Sequence, residues 1–237
     1  MSEWKARRFW KAAQVVTAKG GYGVTLDGRP VRTPAKALLV VPTKPLANRI
    51  AAEWDAQEDE IAPRSMPFTR SANAALDKVT PQHAEVAGLI AAYGDSDLLC
   101  YRATAPESLV ARQIAQWDPL LNWAREVLDA PLQPVCGVMH SPQDPAVLKG
   151  LHGRVQAMDA FTLTAFHDLV SLSGSLILGF AALHDHLPAE RLWTLSRLDE
   201  AWQAEQWGED EEAAEVARAK RADFLHANAF CKLARIA

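Results

Sequence analysis

Apolar and polar positions alternate over roughly the first forty residues and then change to a helical rhythm that runs to the end of the chain. Over residues 9–41, FWKAAQVV, GYGVTL, RPVRT and ALLVV read as short strands separated by KGG, LDGR and TPAK. Asp27-Gly28 between β-prone residues predicts a hairpin, because Gly tolerates the positive φ of a tight turn. After Pro42, Thr43 can cap a helix in which Leu46, Ile50 and Trp54 recur every fourth residue, with Trp54 anchoring it against the small sheet. Pro63 and Pro67 mark the way out. Apolar periodicity and prolines then place helices at about 68–78, 81–93, 107–129, 145–157, 161–184, 189–207 and 212–232, with an extended insert at 131–140. The fold class is α+β: a small β-rich N-terminal domain with one helix over residues 1–68, then a larger all-α C-terminal domain over residues 69–237. A β unit of that size is marginal alone, so its helix and the following domain are expected to complete its core.

Composition narrows the function. At 237 residues and 49% hydrophobic content the chain should fold as an ordinary soluble protein. Its net charge of -4 conceals an asymmetry. Residues 1–50 carry Lys5, Arg7, Arg8, Lys11, Lys19, Arg29, Arg32, Lys36, Lys44 and Arg49 against Glu3 and Asp27. These cations are spread among strand residues without interleaved stacking aromatics, which argues against nucleic acid. The longest apolar run, Leu169 to Leu183, is too short to span a bilayer and reads as a buried central helix. Cys100, Cys136 and Cys231 are odd in number and widely spaced, which fits a reducing compartment and neither zinc nor a redox dithiol. No targeting segment is evident at the N-terminus, and a monomer is expected.

Three constellations could carry chemistry. His184 and His186, with Asp168 one helix earlier beside His167, offer imidazole and carboxylate ligands for a metal-dependent hydrolase. The competing explanation is that the histidines sit at a helix C-terminus before Pro188, where they meet its partial negative charge, and that His167-Asp168 is satisfied core polarity. Asp95, Ser96 and Asp97 form a metal-like acidic cluster or, more simply, helix and turn caps. Gly20-Gly21-Tyr22-Gly23 precedes a strand rather than a helix, so it lacks the amide dipoles of a phosphate loop and reads as a turn. The serines from Ser171 to Ser175 lack a nucleophile-elbow setting, and no cysteine has an activating neighbour pattern. No resident cofactor is implied.

The densest chemical signal lies after Arg197. Asp199, Glu200, Glu205, Glu209, Asp210, Glu211, Glu212 and Glu215 fall within a stretch that also holds Trp202 and Trp207 and contains no Lys or Arg. Such a density repels itself unless a cation or a basic protein surface answers it. It is either a solvated helix face or a docking surface.

The blocks GYGVTLDGRPVRTPAKALLVVP, ANRIAAEWDAQEDEI, MPFTRSANAALD, DSDLLCYRA and RLDEAWQAEQWGEDEE together resemble the ATP twelve family of chaperones, and the likeness spans essentially the whole chain. That resemblance implies a non-enzymatic, ATP-independent chaperone that attends the α subunit while the catalytic head of an F-type ATP synthase is assembled, and that yields to the β subunit at the same interface. It implies the bacterial cytoplasm or, in a eukaryote, the mitochondrial matrix. In the family, acidic residues after the WG dipeptide are functional, which points here to Glu211, with Glu212 and Glu215 nearby. Trp54 matches the tryptophan of an EWD motif with a structural role. Gln203 and Trp207 are contact or supporting residues, with simple packing as the alternative.

Overall fold

Two turns of two residues each build the front sheet. In the computed structural model, which describes residues 7–235, β1 (Ala13–Ala18) runs antiparallel to β2 (Gly21–Leu26), and β2 to the short β3 (Arg29–Pro30). Asp27 and Gly28, at φ of 47° and 82°, form the β2–β3 turn that their sequence predicts. The Asp27 carboxylate reaches back to the amides of Lys11 and Ala12 at 2.9 and 3.1 Å, and those bonds hold its pKa below the ordinary carboxylate range. β4 (Val40–Val41) joins the other side of β2.

Helix α1 (Lys44–Asp55) begins at Thr43, whose hydroxyl accepts from the Leu46 amide, and buries Leu46, Ala47, Ile50 and Ala51. Its last turn is the EWD block, and each residue of that block ties α1 to a different segment of the chain. Glu53 caps α2 (Pro67–Ala74), accepting from the amides of Phe68 and Thr69 at 2.6 and 2.7 Å and from the Thr69 hydroxyl at 2.6 Å. Burial nevertheless raises the pKa of this carboxylate. Trp54 meets Trp10 edge-on at 5.2 Å, and Asp55 accepts from the Ala13 amide of β1 at 2.8 Å. The Arg8 guanidinium adds bonds to the carbonyls of Trp10, Lys11, Asp55 and Gln57. Lys5 and Glu3, counted among the front charges, lie outside the described residues.

The chain forms two compact units that interleave in sequence. The first comprises Met1–Gln82 with Asp159–Ala165 and Ala229–Ala237; the second comprises His83–Met158 and Phe166–Asn228. The division expected at residue 68 was sequential, whereas the first unit continues through α2 and a π-helical turn at Ala75–Val79 and takes back two later segments. One of those segments supplies a ring the strands lack: Phe230 stacks between Phe68 at 6.4 Å and Phe161 at 6.5 Å. Thr43 also donates to the Leu233 carbonyl.

The second unit is helical apart from a two-stranded parallel pair, β5 (Tyr101–Arg102) and β6 (Val135–Cys136). Its helices are α3 (His83–Ala91), α4 (Glu107–Leu128), α5 (Pro145–Gln156), the later part of α6 (Ala160–Ser173), α7 (Leu176–Leu183), α8 (Ala189–Ser196), α9 (Leu198–Trp207) and most of α10 (Glu211–Ala234). Two helices expected as single rods are each two. The 161–184 helix breaks at Gly174, φ 74°, because Ser175 caps a new helix by accepting from the Leu178 amide. The 189–207 helix breaks at Arg197. Helix α7 is buried from Leu176 to Ala182 and lies close to α6, so a Cβ at Gly179 would stand 2.6 Å from the Val170 side chain. Among the described residues no helix is long and apolar enough to cross a membrane.

Trp10 is 3% exposed and Trp54 half-buried, so the two faces of this contact differ in worth. Trp10→Ala is expected to cost about 3–5 kcal/mol and Trp54→Ala less, read from urea unfolding. Equal costs, or none, would contradict this packing.

Candidate functional site

The acidic run is divided by a helix break. α9 ends at Trp207, Gly208 turns the chain at φ 91°, and α10 starts at Glu211. Asp210 acts as the cap: its carboxylate accepts from the Ala213 amide at 3.0 Å and its carbonyl from the Ala214 amide at 2.9 Å. Glu211 and Glu212 occupy the first turn of α10, where the helix dipole favours negative charge.

The carboxylates of α9 are answered within the second unit. Glu205 forms a two-pronged pair with Arg112 of α4, both bonds at 2.8 Å, and this pairing lowers the Glu205 pKa. Asp199 accepts from Gln113 at 2.8 Å, and Glu200 pairs with Arg197 at 2.9 Å. Helix α4 is fixed again by Trp117, whose indole donates to the Leu195 carbonyl at 3.0 Å. Glu209, Glu211, Glu212 and Glu215 are exposed, and among the described residues none of them is in an ion pair.

Beside these carboxylates stands apolar surface. Trp207 is 75% exposed and rests edge-on against the buried Trp202 at 5.7 Å. Gln203 is exposed one helical turn earlier on the same side of α9, and Val216 is 50% exposed on α10. From Glu211 to Asp223 no residue of α10 is buried; Phe224, which meets Trp193 at 5.6 Å, is the first that is. The link 208–210 thus joins an exposed indole to an exposed, carboxylate-bearing helical turn. The partners Arg112 and Gln113, adjacent on α4, were not recognised in the sequence, because nothing local marks them as facing α9.

The metal-hydrolase arrangement is not assembled. Among the described residues no three His, Cys, Asp or Glu side chains stand where they could hold a metal ion. The His186 amide donates to the Ala181 carbonyl and the His184 amide to the Phe180 carbonyl, as at a helix end, and the two rings pack against Trp123 at 4.7 and 5.8 Å. Asp168 pairs with its neighbour His167 at 2.9 Å. That pair is 45–49% exposed, not core polarity, because it lies on the outer side of α6.

The Asp95–Asp97 cluster is a pair of caps and ties. Asp97 is fully buried and accepts from the amides of Leu99 and Ile177 at 3.0 Å each and from the Ser175 hydroxyl at 2.8 Å. Asp95 accepts from the Gln143 amide and faces His140 at 3.3 Å. Burial and the nearby Asp97 push the Cys100 thiol up to about 12, which removes it as a nucleophile at neutral pH. A shallow cleft of about 280 Å³ is lined by Arg49, Glu53, Ser65 and Phe68, but the Glu53 carboxylate there is already committed to the start of α2.

Residues 7–125 match the family described as ATP12 chaperone protein, and the chain belongs to that family. The mitochondrial protein atp12 of Schizosaccharomyces pombe is 26% identical over 225 residues, covering 89% of this chain and 76% of that one. The crystal structure of Atp12 from Paracoccus denitrificans superposes with a TM-score of 0.96 at 50% identity, covering 98% of this chain and all of that one. The Atu1473 protein of Agrobacterium tumefaciens gives 0.91 at 43% identity, covering 97% and 86%. The class is therefore a chaperone, and the α+β architecture is that of its solved relatives.

Burial raises the Asp97 pKa to about 6 from an unfolded value near 3.8. The folded state thus holds this proton more tightly than the unfolded one. The contribution is fully present below the unfolded value and is lost as pH rises to about 6. Asp97→Asn should remove that slope, so the stability of wild type relative to the variant falls between pH 4 and 6 and is flat above. A difference independent of pH across this window would contradict the assignment.

Proposed function

We propose that this protein is a non-enzymatic assembly chaperone that binds the unassembled α subunit of an F-type ATP synthase and covers its subunit interface until the β subunit replaces it. The observation that carries the reading is the set Glu209, Glu211, Glu212 and Glu215, exposed and, among the described residues, outside any ion pair, beside the exposed Trp207. A stable surface rarely keeps like charges adjacent when internal cations are within reach, as Arg112 is for Glu205. An orphan subunit exposes apolar surface meant for its neighbour, and such surface aggregates unless covered. A caretaker that must leave again is better served by a mixed polar and apolar contact than by a wholly apolar one.

In this reading Glu211 is the principal contact, Glu212 and Glu215 add to the field, Trp207 and Gln203 supply contact area, and Trp54 holds the fold of the first unit. Nucleic acid and membrane insertion play no part, no cofactor is needed, and the chaperone acts as a monomer in transient association. The compartment is the bacterial cytoplasm, or the mitochondrial matrix for a eukaryotic source. A permanent structural subunit would instead remain in the finished complex.

Glu211→Lys and Trp207→Ala should each weaken co-purification of the unassembled α subunit by about tenfold or more, as contacts at the centre of an interface do, while leaving the thermal unfolding of the free chain unchanged. The wild-type complex should also weaken with salt, since exposed charges are screened over about 10 Å at 0.1 M. If Glu211→Lys still supports full assembly of the synthase, the contact surface lies elsewhere.

A further inference from the structure

The hydrogen-bond parity of the front sheet exposes one edge. The Val31 amide donates to the Val24 carbonyl at 2.9 Å, so the even-numbered residues of β2 direct their backbone groups toward β3 and β4. The odd-numbered residues of β2 therefore face β1, and the register pairs Gly21, Gly23 and Thr25 with Ala18, Val16 and Gln14. Ala13, Val15 and Thr17 must direct their amides and carbonyls the other way. The geometry bears this out at one end, where the Ala13 amide donates to the Asp55 carboxylate at 2.8 Å. β1 pairs with β2 alone, and among the described residues nothing bonds the outward backbone groups of Val15 and Thr17.

Proteins usually blunt such an edge with proline, a bulge or an inward charge. The strand AQVVTA has none of these, and it leaves Val16 39% exposed. Lys11 and Lys19, exposed and outside any ion pair among the described residues, flank its two ends. Unpaired backbone groups in a row recognise another extended backbone, and flanking ammonium groups favour carboxylates on it.

We propose that β1 is a second contact surface, which accepts an extended segment of the unassembled α subunit as an added strand, with an acidic residue toward each end of that segment. The proposal rests on the function proposed above. It assigns to the first unit a sequence-tolerant grip made by main-chain bonds, separate from the side-chain contacts of the acidic surface. Chain segments that leave a subunit's own sheet or interface unpaired are the ones such an edge selects.

The test is residue-resolved amide exchange on the isotope-labelled full chain, alone and mixed with recombinant unassembled α subunit. In the free chain the amides of Gln14, Val16 and Ala18 should be protected and those of Val15 and Thr17 fast. In the complex, Val15 and Thr17 should each slow by about fivefold or more, as a gained main-chain hydrogen bond implies. Thr17→Pro removes an outward amide without touching the ladder and should weaken the complex about three- to tenfold. A complex in which Val15 and Thr17 still exchange as in the free chain overturns this inference and leaves the chaperone reading standing. Failure to form any complex overturns both. Protection that grows with the concentration of the free chain makes a second copy the occupant and also overturns it.

Discussion

A carboxylate on a protein surface is stable in company: it needs a cation, a donor or water, and neighbours of its own sign count against it. Between Asp199 and Glu215 the fold meets that requirement in two different ways. On α9 the partners are internal, with Arg112, Gln113 and Arg197 each engaging one acid. Past Gly208, among the described residues, Glu209, Glu211, Glu212 and Glu215 are in no ion pair, and the dipole of α10 favours the charges in its first turn. The change from paired to unpaired acids therefore falls at a single glycine, and the exposed Trp207 stands beside it.

The front of the molecule shows the same economy of carboxylates used as fasteners. Asp27, Glu53 and Asp55 each bind backbone amides elsewhere in the chain, and Asp97 does so deep in the second unit. These bonds hold short strands and short helices that could not persist alone. Among the described residues, four acids after the WG dipeptide are in no ion pair, and β1 pairs on one side alone. For a chaperone that carries no nucleotide cycle in this reading, the partner's affinity must come from contacts the free chain does not make with itself.

Much of the architecture was legible in order of residues. Alternation gave the strands of the sheet, Asp27-Gly28 its turn, and the prolines the starts of α2, α4, α5 and α8. The breaks at Gly174 and Arg197 were not legible, since apolar residues continue on both sides and the interruption depends on a distant buried carboxylate, Asp97, and on how α8 and α9 each pack. The return of Phe161 and Phe230 to the first unit was hidden for the same reason: a helical stripe shows that a face is buried and not which core receives it. For the acidic surface, composition exposed the density of carboxylates but could not separate the acids that α4 answers from those in no ion pair among the described residues. That distinction is made by tertiary placement of Arg112, a residue 93 positions away from Glu205.

The central claim is that this chain temporarily occupies the place of a neighbouring subunit. The most direct measurement is sedimentation of purified chain with recombinant unassembled α subunit, followed by addition of β subunit. The account predicts a one-to-one complex with α that dissolves as α and β combine, releasing the chaperone free. A chain that never sediments with α, or one that stays bound after β has joined, would contradict it.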